Sequence, residues 1–246
     1  DLNNPNNSDK NSVVASLEAL VEQPILGDTS LLTVQELKKR ALAAYAAQDR
    51  AVTRQDYIAM IYRMDPAFGR VKRCNVIRDY DSNRRNLNVY IVSEDVNRNL
   101  TVANSMLKNN LKNWLIDYKM INDTVDILDG RIINLGINYS IIVDNNFNYL
   151  DVLTNANEAL VSFYTRKTYD FGESFYFADV YKEVKNVEGV LDVVEISLVN
   201  LSGGNYSNSA LDVKSALSPD GRLLLMPQDS VVEFKFPSLD IKGAVI

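Results

Sequence analysis

One stretch constrains this chain more than any other: R-A-V-T-R-Q-D-Y-I-A-M-I-Y-R-M-D-P-A-F-G-R-V, from Arg50 to Val71. It predicts a helix, a hard stop and then a strand. Thr53 is a good N-cap, because its hydroxyl can accept a bond from a free amide of the first turn. Asp56, three residues on, can reach back to the Thr53 amide and close a capping box, and Val52 and Tyr57 occupy the two positions of a hydrophobic staple. Tyr57, Ile61 and Met64 share one helical face. Pro66 pushes Asp65 out of the α region and ends the helix. Gly69 supplies a turn, and Val71 to Ile77 reads as a strand.

The remaining chain supplies elements in mixed order. Residues 1–11 are Asn-, Asp- and Ser-rich and read as a linker. Val13 to Glu22 reads as a short helix. Thr33 caps a second one, with Glu36 at the capping-box position, running to about Gln48 through Leu37, Ala41, Ala44 and Tyr45. After a polar turn at residues 79–86, Leu87, Val89 and Ile91 alternate as in a half-buried strand. Thr101 is expected to cap a helix burying Ala103, Leu107, Leu111, Trp114, Leu115 and Tyr118. Thr124 to Leu128 is a strand, Asp129-Gly130 a turn signal, and Ile132 to Val143 a long β-branched strand. A helix then buries Val152, Ala156, Ala159, Leu160 and Phe163, Ser174 caps another with Phe177, Val180, Tyr181 and Val184 inward, and Val190 to Leu201 is a strand.

These elements predict an α+β fold. Residues 1–50 form a linker and helical lead-in, residues 51–201 a ferredoxin-like split βαβ two-layer core, and residues 202–246 a β-rich C-terminal segment with strands at Arg222 to Met226 and Val231 to Phe236. That last segment is expected to pack on the main domain or on a partner subunit. Exposed edge strands invite pairing with another chain.

The motif R-A-V-T-x-x-D-Y, then Pro66, then Gly69-Arg70-Val71 and a V-x-V-like strand, resembles the baseplate wedge proteins of contractile-tailed bacteriophages, the baseplate J-like family. The resemblance continues at Leu87–Val92, at Ala159-Leu160-x-x-Phe163-Tyr164 and at Gly189-Val190-Leu191-Asp192-Val193, and covers about residues 50–200. It implies a structural protein of the virion tail baseplate, assembled in the host cytoplasm, with further chain ahead of the matching region. It implies partners among other copies of itself and other wedge proteins, and it supplies no catalytic residues.

The chemistry of the chain points the same way. It has no histidine and one cysteine, Cys74. That removes Ser-His-Asp and Cys-His nucleophilic arrangements and both His-based and all-thiolate zinc sites. Phosphate-binding glycine motifs are absent, and Gly203-Gly204 reads as a turn. No enzyme activity and no cofactor is expected. Asp79 and Asp81 lie in a polar turn with nothing to raise a carboxyl pKa. Asp79, Asp81 and Asn83 imitate the start of a calcium loop, but Arg84 and Tyr90 stand where glycine and glutamate are needed. The net charge of −6 argues against nucleic acid, whose binding depends on neutralising phosphates, and against an anionic membrane surface.

Two surfaces are candidates for interaction. Against the acidic background, Arg63, Arg70, Lys72, Arg73, Arg78, Arg84 and Arg85 face only Asp65, Asp79 and Asp81 between residues 63 and 85. The plain reading is a solvated strand; the functional one is contact with an acidic partner. Phe171, Phe175, Tyr176 and Phe177 surround Gly172, and Phe234 and Phe236 lie near the C-terminus. These are core residues or interface anchors. The interaction residues expected are Arg70, Lys72, Arg73, Arg84, Arg85, Phe234 and Phe236. The alternative function is a ferredoxin-like module that binds protein or RNA.

Overall fold

The computed structural model describes residues 33–79 and 86–246. The segments expected at 1–11 and Val13 to Glu22 lie outside the described residues, as do Asp81, Asn83, Arg84 and Arg85.

The Arg50–Val71 stretch folds largely as its local signals dictate. Helix α1 spans Val34–Ala47 and α2 spans Arg54–Arg63, and each opens on a complete capping box, Thr33 with Glu36 and Thr53 with Asp56. Tyr57, Ile61 and Met64 are buried together. Val52, at the expected staple position, is half exposed, and its amide donates to Asp56. Asp65 caps a short 3-10 turn, Pro66–Phe68. Helix α1 turns its other face inward from the one expected. Ala43 and Ala47 pack inside, while Leu37 and Tyr45 are exposed.

The first sheet is built on strand β2 (Asn86–Glu94). Strand β1 (Arg73–Arg78) runs antiparallel to it, from Arg73 opposite Val92 to Arg78 opposite Leu87. The short strand β3 (Leu100–Thr101) folds back on its end. Helix α3 (Ser105–Ile116) then crosses over to β4 (Thr124–Asp129), which lies parallel to β2. Asn104, not Thr101, caps α3, its Oδ1 accepting from the amides of Met106 and Leu107; Thr101 is occupied in β3. Leu107, Leu111 and Leu115 of α3 meet Tyr57, Met60, Val76, Val89 and Ile91 in one buried cluster. Burying each such side chain is worth roughly 1.5–3 kcal/mol. Trp114 donates from Nε1 to the Met60 carbonyl at 2.9 Å, tying α3 to α2.

The second sheet is organised on β5 (Arg131–Val143). Helices α4 (Tyr149–Arg166) and α5 (Phe177–Lys185) follow it, and β7 (Val190–Leu201) returns antiparallel along one edge. A two-residue strand β6 (Phe175–Tyr176) precedes α5. Tyr176, not Ser174, stands at the N-cap of α5 and makes no side-chain cap bond. Val152, Ala156 and Leu160 of α4 and Val180 and Val184 of α5 bury against Ile133, Leu135, Ile137 and Ile141. Tyr181 is exposed.

The tail completes this sheet. After a short helix α6 (Val213–Ala216), the strand expected at 222–226 shrinks to β8 (Leu223–Leu224), paired with β6. Strand β9 (Ser230–Glu233) then joins β5 in parallel. After helix α7 (Pro237–Asp240), strand β10 (Ile241–Val245) joins the same edge farther along. The 202–246 segment therefore packs on the main body and closes one side of β5.

The fold is α+β, with a correction to its sheet. The strands expected in one ferredoxin-like split βαβ sheet are divided, β2 and β4 in the first sheet and β5 and β7 in the second. The division falls at Gly130, the one residue between β4 and β5. A Cβ there would overlap the Phe171 ring, so that ring fills the space a larger residue would need at the crossing. Asp129-Gly130, read as a turn signal, is thus a joint between sheets.

Candidate functional site

The basic strand does not lie in solvent. Lys72, just ahead of β1, and Arg73, its first residue, are both buried. Lys72 Nζ pairs with Glu94 at 3.1 Å. Arg73 Nε lies 3.0 Å from the Asp170 carboxylate, one of its terminal nitrogens 3.3 Å from Glu36, and it also donates to Thr168 Oγ1 at 3.0 Å. One guanidinium thus ties α1, β1 and the loop after α4 together. Arg70 is exposed.

The aromatics are mostly in the interior. Phe175 is fully buried and Phe171 and Phe177 half-buried, and only Tyr176 is exposed. The Phe234 ring lies 4.4 Å from that of Tyr164 and 6.0 Å from that of Phe175. Phe236 meets Tyr206 edge-on at 5.7 Å. Such pairs stabilise beyond their area of contact.

What these residues build is a cleft. Helices α1 and α2, strand β1 and the Asp170–Phe171 turn enclose a cavity of about 370 Å³. Its floor is apolar, with Ala43, Ala44, Ile58, Ala59 and Tyr62; its walls carry Lys39, Arg40, Arg54, Arg63 and Arg73 against Glu36 and Asp170. Both carboxylates are engaged by Arg73, and Arg63 pairs outside the cleft with Asp49. Arg40 stacks on the Tyr62 ring at 4.1 Å, and Arg54 donates to Asn75 Oδ1. Lys39, Arg40 and Arg54 have no carboxylate at ion-pair distance among the described residues, so the cleft is electropositive in an acidic chain. Cys74 lies at its base. Burial pushes the thiol up to about 12, which keeps it protonated and unreactive.

The second surface is the outer edge of β7. Among the described residues β5 is its only strand neighbour, and side chains take some of its other backbone groups: Lys185 donates to the Leu191 carbonyl, and the Val193 amide donates to Asp192. The β5–β7 register slips twice, between Ser140 and Ile141 and between Ile142 and Val143. The two β7 residues left out of the ladder are Val194 and Leu191, which are 54% and 52% exposed. Bulges of this kind re-aim side chains at sheet edges. Periodicity gave no sign of them.

Among the described residues, no group of three or more His, Cys, Asp or Glu could hold a metal ion, and no helix is long and apolar enough to cross a membrane.

No family model matches the chain, and no curated protein does. Solved structures do match. One is a chain of the cryo-EM structure of the anti-feeding prophage (AFP) baseplate, 6-fold symmetrised, at 13% identity and a TM-score of 0.47. The alignment covers 83% of this chain and 42% of that one, so this chain spans less than half of the structure it resembles.

Proposed function

We propose that the chain is a structural subunit of the baseplate wedge of a contractile tail. It joins neighbouring wedges into a ring around the tail tube and takes part in the contractile switch. The observation that carries this reading is the edge of β7, which has no second strand neighbour among the described residues and turns Leu191 and Val194 outward. Its bulges and carboxylates disfavour simple strand addition, which leaves the outward side chains to make a lateral, charge-matched contact with a partner subunit. The ordered motifs from Arg50 to Val193 support the same reading, and the structure gives those residues framework roles. Thr53 and Asp56 cap α2, Tyr57 donates to Asp123 at 2.8 Å, and Val190 and Val193 are in the core.

The partners are other copies and other wedge proteins, and the chemistry is mechanical. Two small layers joined by specific polar contacts can move as rigid pieces when interfaces rearrange. Arg70, Arg84, Arg85 and the rim of the basic cleft are the candidate contacts with acidic partners.

The test is removal of the chain from a host that produces contractile tails, followed by negative-stain electron microscopy. Tubes and sheaths without a completed baseplate are expected. Complete tails that contract normally would overturn the proposal.

A further inference from the structure

The basic cleft and the β7 edge are complementary to each other, and they lie on different parts of one chain. The cleft belongs to α1, α2 and β1 and offers Lys39, Arg40 and Arg54 around an apolar floor. The edge offers the reverse: the two slips of register expel Leu191 and Val194, and Glu188, Asp192 and Glu195 are exposed around them. Tyr181 and Lys185 hold Asp192. Among the described residues, Glu188 and Glu195 have no ion-pair partner. The edge therefore carries aliphatic side chains set among carboxylates, and the cleft carries an apolar floor set among cations.

We propose that the cleft receives the Glu188–Glu195 rim of a second copy of this chain, head to tail. This rests on the assembly reading above and gives it a contact. Two features favour a second copy. The first is charge: copies with a net charge of −6 repel one another unless a positive patch meets a negative one, and complementary patches both attract and set register. Guanidinium groups suit the role, since Arg40 and Arg54 can each grip a carboxylate with two parallel bonds. The second is shape. Leu191 and Val194 gain little by standing in water, and a cavity of about 370 Å³ is within the range, roughly 300–1,000 Å³, that accommodates small apolar groups. Because the two patches differ, each copy keeps one of each to offer. A heterologous contact of this kind propagates and closes into a ring if its rotation allows.

The test is sedimentation velocity of the 246-residue chain over a concentration series, at low and at raised salt. The wild type is expected to associate beyond a dimer, less so as salt screens the exposed charges. A cleft variant, Arg40→Gln with Arg54→Gln, and a rim variant, Glu188→Gln with Glu195→Gln, should each associate at least about tenfold more weakly, a loss of about 1.4 kcal/mol. An equal mixture of the two retains one good cleft and one good rim, and should form a dimer that grows no further. Leu191→Ser with Val194→Ser alters only exposed side chains, so it tests the rim with the fold intact. A wild type that stays monomeric, variants that associate as it does, or a mixture that forms no dimer would overturn the proposal. Those results would leave the role in the tail to the deletion experiment, which reads a different property.

Discussion

Asn75 Nδ2 donates a 2.7 Å hydrogen bond to the carbonyl of Gln228, across 153 residues of chain. It joins the first sheet to the turn that leads into β9. Asn75 is almost fully buried, and its Oδ1 accepts from Arg54 and from the Val76 amide. One side chain thus links the two layers and holds a cation at the cleft. Asn75→Ala should lower stability by about 1–3 kcal/mol, the penalty for leaving buried groups unpaired. Urea unfolding measures it; an unchanged midpoint would show that the junction contributes nothing.

Lys72 and Glu94 form a pair whose side chains are 10% and 4% exposed. Breaking a buried pair from one side costs about 3–5 kcal/mol, whereas replacing both partners by apolar groups is often neutral. Glu94→Gln should therefore destabilise the chain strongly, and Lys72→Met with Glu94→Leu should recover most of the loss. A double variant as unstable as the single one would contradict this.

The cap of α2 gives a pH-dependent prediction. Burial tends to raise the Asp56 pKa, but bonds from the Thr53 amide, the Thr53 hydroxyl and the Val52 amide outweigh it and leave the carboxyl below its usual range. A lowered folded pKa means that the contribution is present above the unfolded value, near 4, and is lost as pH falls through the folded one. Thr53→Ala should cost about 1 kcal/mol at neutral pH. Asp56→Ala should lower the melting temperature at pH 7, and the gap to wild type should narrow in acid. A gap independent of pH would place the carboxylate outside the cap.

Gly130 meets the Phe171 ring where the chain changes sheet. Gly130→Ala should cost about 1–3 kcal/mol, as overpacking does elsewhere, and Gly130→Ala with Phe171→Leu should restore part of it. Thermal unfolding of the three proteins checks the coupling, and full additivity would show that the two residues do not touch.

Where signals are local, the sequence carried the structure. Thr53, Asp56 and Pro66 act within a few residues of one another, and α2 forms as read. Strand β7 runs from Val190 to Leu201 as expected. Where pairing is distant, little was visible. That β9 and β10 share one edge of β5 depends on partners about a hundred residues apart, and the division of the sheets at Gly130 depends on Phe171. Thr101 and Asn104 are both capping residues, and strand pairing at β3 decided between them. The basic strand was visible as a run of charge, but the direction of Lys72 and Arg73 was set by Glu94, Glu36 and Asp170. The cleft needed α1 in place, and the expulsion of Leu191 and Val194 needed the register of β5.

The most direct measurement for the central claim is immunoelectron microscopy of purified contractile tails, using antibody raised against this chain. Label at the baseplate end, on intact tails and absent from isolated tubes and sheaths, is the predicted result. Tails that carry no label, or label spread along the sheath, would contradict the assignment.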